Sequence, residues 1–88
     1  MDEKRVKLVT PEQAFWFKEG GTLRTLGELA VALGFMPAEV FGTYVAEDKN
    51  DFAQWVESCL GELELAESMR AQPEMDAMRQ AVWGALNS

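Results

Sequence analysis

Apolar residues recur at helical spacing along most of this chain, and the strongest run is Phe52, Trp55, Val56, Cys59 and Leu60, at i, i+3, i+4, i+7 and i+8. That stripe predicts an amphipathic helix with its N-cap at Asn50 or Asp48 and its end at Gly61. Upstream, Leu26, Leu29, Ala30 and Leu33 mark a second helical face. Thr25-Leu26-Gly27-Glu28 opens that helix as a capping box, in which the Thr hydroxyl and the Glu carboxylate each take up a free backbone amide, and Gly34 is placed to cap its end. Pro37 opens a third helix with Val40, Phe41, Tyr44 and Val45 on its apolar side, ended by the polar stretch Glu47-Asp48-Lys49-Asn50. After Gly61, Leu63, Leu65, Ala66 and Met69 describe a short helix. Pro73 starts the last one, where Met75, Met78, Val82, Ala85 and Leu86 share a face.

The N-terminal quarter supports two readings. Thr10-Pro11-Glu12-Gln13 has the layout of a helix start, with Thr as N-cap, Pro at the first helical position and Gln closing a capping box, and a short helix through about Phe17 would follow. Alternatively, Ala14 to Lys18 is a strand, Gly20-Gly21 a hairpin turn and Thr22 to Arg24 the return strand. Phe15-Trp16-Phe17 is too short to show a period that would decide. The expected architecture is therefore mainly α, a compact bundle of five to six short helices, with a small β-hairpin near residues 14–24 as the open alternative. Residues 1–9 read as a flexible charged leader and 10–88 as a single helical domain. None of these helices is long enough to stand alone, so tertiary packing must hold the set together.

Composition narrows what such a domain can do. The 88 residues have room for one core, and nearly half are apolar against a quarter charged, which is the balance of a folding chain. The longest uncharged apolar stretch, Leu29 to Pro37, is far short of the roughly 20 residues of a membrane span, and no signal-peptide core follows Met1-Asp2-Glu3-Lys4-Arg5. With one cysteine, Cys59, no internal disulfide can form. The expected location is the cytoplasm, no membrane partner is expected, and Cys59 reads as a small buried hydrophobe. The net charge is −7, and it is uneven: residues 1–25 carry five basic and four acidic side chains, residues 26–88 three basic and eleven acidic ones. Such a surface repels phosphates, so direct nucleic-acid binding is not expected.

The candidate chemistry is sparse. No histidine is present, which removes the commonest general base and metal ligand, and a lone cysteine cannot build a zinc or iron–sulfur site within the chain. Gly20-Gly21 lacks the rest of a phosphate loop. The carboxylate clusters Glu47, Asp48, Asp51 and Glu62, Glu64, Glu67 do not follow calcium-loop spacing and read as helix caps and solvated faces. No catalytic residue, metal ligand or cofactor is expected. The aromatics carry more information. Three adjacent rings at 15–17 cannot all point inward, and Trp83 falls at the edge of its helix's apolar face, so Trp16, Phe17 and Trp83 are the candidate contacts of a protein-interaction or accessory domain, including one that self-associates. The alternative is an acidic inhibitor or nucleic-acid mimic presenting Glu57, Glu62, Glu64, Glu67, Glu74 and Asp76 to a basic partner.

The ordered string Phe15-Trp16-Phe17-Lys18, Leu26, Glu28-Leu29-Ala30, Leu33, Met36, Val40-Phe41, Val45, Lys49-Asn50-Asp51-Phe52-Ala53, Trp55 and Leu65-Ala66 resembles a functionally uncharacterised family of small domains in archaea and bacteria. The resemblance covers roughly residues 13 to 70, and Asn50-Asp51-Phe52 with Trp55, preceded by Phe15-Trp16, is its most specific part. It implies a compact helical accessory domain, standing alone or beside other domains, with no assigned enzymatic activity. Tyr44 departs from the family pattern, which favours histidine there.

Overall fold

The computed structural model describes residues 9–87. The chain enters through Val9, which is buried and whose amide donates to the Arg24 carbonyl at 3.0 Å. Val9, expected in the charged leader, thus belongs to the core, and residues 1–8 of that leader lie outside the described residues. Pro11–Gln13 forms only a single 3-10 turn, and the Thr10 side chain caps nothing. The expected first helix is replaced by the hairpin: β1 (Phe15–Trp16) pairs antiparallel with β2 (Thr22–Leu23), Phe15 opposite Leu23 and Trp16 opposite Thr22. Tertiary pairing overrides the capping signal here, because strand alternation lets Phe15 enter the core while Trp16 stays out. Gly20 and Gly21 have φ of 105° and 96°, a left-handed region that ordinary side chains avoid, and this closes the hairpin.

Five helices follow. α1 (Leu26–Phe35) opens on the expected cap: the Thr25 hydroxyl accepts from the Glu28 amide at 3.1 Å, and Glu28 reaches back to the Arg24 amide at 2.6 Å. It does not end at Gly34. That glycine is helical, and a Cβ placed there would meet Arg79 Cδ of the last helix at 3.5 Å, an ordinary van der Waals contact. Met36, extended as a residue before proline prefers, ends the helix instead. α2 (Ala38–Tyr44) follows Pro37, and Val45 then leaves the helix. Together with Ala46 it forms β3 (Val45–Ala46), paired with β4 (Lys49–Asn50) in a second hairpin where only a polar helix end was expected.

α3 (Asp51–Leu60) begins at Asn50, whose side chain accepts from the Ala53 amide and donates to the Met69 carbonyl at 3.2 Å. One residue thus caps α3 and ties it to α4 (Leu63–Ala71). Gly61, at φ 71°, ends α3 as expected. α5 (Met75–Leu86) starts two residues after Pro73, with Glu74 at its N-cap. α5 packs on α1 and α4, and α4 packs on α3. Phe52, Leu29, Leu33, Val56, Met69, Met78 and Val82 are fully buried at the centre. Among the described residues the structure is mainly helical, five helices with two small antiparallel hairpins. Among the described residues no helix is long and apolar enough to cross a membrane.

Candidate functional site

The first hairpin, α2 and α3 meet in an aromatic cluster. Phe52 lies 4.8 Å, ring centroid to centroid, from Phe15, 5.6 Å from Tyr44 and 6.2 Å from Phe41. Phe17 adds edge-on contacts to Phe15 at 5.2 Å and Tyr44 at 5.5 Å. Trp55 is buried with them and donates its indole N–H to the Gln13 carbonyl at 2.7 Å, anchoring the 3-10 turn. Tyr44 is the polar edge of the cluster. Its hydroxyl accepts from the Lys18 amide at 2.7 Å and donates to Glu19 Oε1 at 3.0 Å, so it ties the tip of the hairpin to α2. Burial, followed by the neighbouring Glu19 carboxylate, pushes the Tyr44 phenol above its ordinary value of 10.0, although the bond from the Lys18 amide pulls the other way. Tyr44 therefore stays neutral and serves as a latch.

Phe17 is shared between this cluster and the surface. Its outer side lines a shallow apolar groove of about 260 Å³ with Ala32, Phe35, Met36, Pro37 and Val40, and Glu19 and Gly20 complete the lining. Ala32 also lines a neighbouring depression with Thr22, Thr25, Gly27, Glu28 and Val31, so two shallow depressions lie side by side along the flank of α1, together called the channel below. Over the groove stands Phe35, 85% exposed, a full turn beyond the exposed Val31. A phenyl ring left in water forgoes about 1.5–3 kcal/mol of burial free energy, and nothing among the described residues covers this one. Both charged groups lining the channel among the described residues, Glu19 and Glu28, are carboxylates.

The residues singled out from sequence fall in different places. Phe17 lines the groove. Trp16 is 63% exposed, but strand alternation puts it on the other face of the hairpin from Phe17, and its indole N–H is already satisfied by the Pro11 carbonyl at 3.2 Å. Trp83 is 41% exposed on α5 and does not line the channel. Phe35, Val31 and Val40 were absent from the expected contacts. Reading Gly34 as a cap placed Phe35 beyond the helix end; once Gly34 is helical, Phe35 falls four residues after Val31, opposite Leu29 and Leu33.

The six acidic candidates do not make one unbroken face. Glu57 is held by Arg70 at 2.6 Å, and Asp76 by Arg79 at 2.5 Å and Gln80 at 3.0 Å. Glu64 and Glu67 share the exposed side of α4, while Glu62 and Glu74 stand at the N-caps of α4 and α5. A second depression, of about 480 Å³, lies beside β3 and β4 and is lined by Asp48, Lys49, Asp51, Gln54 and Arg70 among others. Lys49 faces Asp51 at 3.4 Å and Arg70 faces Glu57, so both of its cations are engaged. Among the described residues no three of His, Cys, Asp and Glu come together as metal ligands would. Cys59 is half-buried against the core rather than fully buried. Comparison with protein-family models, with curated proteins and with solved structures finds nothing that matches this chain, so the family resemblance stands on the residues quoted for it.

Proposed function

We propose that this chain is a non-enzymatic interaction domain that receives an apolar segment of a different protein in the channel between the first hairpin and α1. The exposed ring of Phe35 above a groove lined by Phe17, Ala32, Met36, Pro37 and Val40 carries the reading. Contact surfaces of this kind combine an aromatic anchor with a concave apolar floor, and Phe17 and Met36 give that floor side chains able to repack against a partner. The lack of histidine supports the non-enzymatic part, since the commonest proton-transfer residue has no counterpart in the sequence. Cysteine usage fits a cytoplasmic protein, and the family resemblance adds an accessory role in a prokaryotic setting.

A different protein is favoured over a second copy on charge. Two chains of net charge −7 repel each other, and the carboxylates Glu19 and Glu28 line the channel. Light scattering after size exclusion, over a dilution series at low and physiological salt, is expected to give a monomer of 9.8 kDa throughout. A dimer that Phe35→Ser dissolves would make the second copy the occupant. The acidic-inhibitor alternative is weakened by Arg70 and Arg79, which take up two of its six carboxylates.

A further inference from the structure

The shape and charge of the channel narrow its occupant, on the reading that it is a docking surface. Its two depressions share Ala32 and lie beside α1, with linings from Thr25 and Gly27 to Phe35 and Pro37. At 1.5 Å per residue the ten residues of α1 span about 15 Å, the length of three helical turns in a guest laid alongside. Apolar side chains occur at intervals along it: Val31 and Ala32 near the middle, then Phe35 and Met36, with Phe17 and Val40 in the far wall. A helix presenting anchors at i, i+3 or i+4, and i+7 spaces them over about 10 Å, which this length accommodates. Strand addition, the other common way to capture a peptide, has little to work with, since β1 and β2 are two residues each.

Charge sets the rest of the guest's chemistry. Glu19 stands at one end and Glu28 toward the other, and Glu39 lies exposed on the first turn of α2 between Pro37 and Val40. Lys18 neighbours Phe17 in sequence but lies outside the channel lining. The whole chain carries −7, so an anionic guest meets repulsion both at long range and on contact. We infer that the channel between the first hairpin and α1 binds a short cationic amphipathic helix of a partner protein, its apolar face on Phe17, Phe35 and Val40 and its Lys or Arg side chains toward Glu19, Glu28 and Glu39.

The test uses the full chain and three fluorescein-labelled peptides of about 14 residues, followed by anisotropy. One is an amphipathic helix with Leu on one face and Lys on the other; the second replaces every Lys by Glu; the third scrambles the first so that composition is kept and the apolar face is lost. The Lys helix is expected to bind at least about tenfold more tightly than either control, and Phe35→Ser to weaken it at least about tenfold, while Trp16→Ser and Trp83→Ser leave it unchanged. Equal binding of the Lys and Glu helices, both lost with Phe35→Ser, overturns the cationic guest and leaves the docking surface intact. Equal binding of the scrambled peptide overturns the helical guest. Binding of the Lys helix that ignores Phe35→Ser, or no binding at all, overturns the assignment to this channel.

Discussion

Phe52→Ala is expected to lower the melting temperature by more than about 15 °C and to leave a domain close to the edge of folding. Phe52 has no exposed surface and touches rings from two other parts of the fold, Phe15 and Phe17 of the first hairpin and Phe41 and Tyr44 of α2. Removing a buried Phe costs about 3–5 kcal/mol, lost burial plus the cavity left behind. A domain of this size has on the order of 5–10 kcal/mol in total, and each kilocalorie is worth several degrees, so the loss takes a large share. Circular dichroism at 222 nm against temperature reads the effect. A shift below about 5 °C would show that the aromatic cluster does not hold the hairpin, α2 and α3 together.

Phe35→Ser is expected to spare stability and remove binding: the urea midpoint stays within the equivalent of about 0.5 kcal/mol, while peptide capture falls at least about tenfold. The ring is 85% exposed, so folding gains little from it, and Ser has nearly the helix propensity of Phe. Large apolar residues that contribute little to stability but sit over a concave apolar floor mark contact surfaces, because their burial free energy is released only when a partner arrives. Val31, a turn earlier on the same outward face, extends that surface. A midpoint drop comparable to a core truncation would place Phe35 in the packing of the domain and remove it from the contact surface.

The contrast between these two phenylalanines marks where sequence is informative. Phe52 was legible because it opens a stripe, with Trp55, Val56 and Leu60, whose period matches a helix and whose ends carry a side-chain cap at Asn50 and a left-handed glycine at Gly61. Each local signal agreed with the tertiary outcome. The Thr25 cap of α1 was legible for the same reason. Phe35 was not, because glycine has two uses at the end of a helix. Gly34 could have supplied a positive φ to stop α1, whereas it stays helical and the chain leaves the helix at Met36, the residue before Pro37.

The second hairpin was hidden on other grounds. Strands of two residues, Val45–Ala46 and Lys49–Asn50, span a single period of alternation and show no repeat, so Val45 read as the last apolar position of α2. The first hairpin carried a signal, the paired glycines with the three adjacent rings, and that reading prevailed over the capping box at Thr10. Crowding of Phe15, Trp16 and Phe17 also required one ring to leave the core. Trp16 did, but exposure alone did not make it part of the groove, because strand alternation turned it to the other face while Phe17 stayed beside α1.

The central claim, that the channel beside Phe35 is the surface this domain offers to another molecule, is tested most directly by amide-resolved NMR during a titration with isopropanol, a small probe that collects wherever apolar surface is both exposed and concave. The shifts are predicted to concentrate at Phe17, Val31, Ala32, Phe35, Met36 and Val40. Shifts centred on Trp16 or on Trp83, with the α1 channel silent, would contradict it.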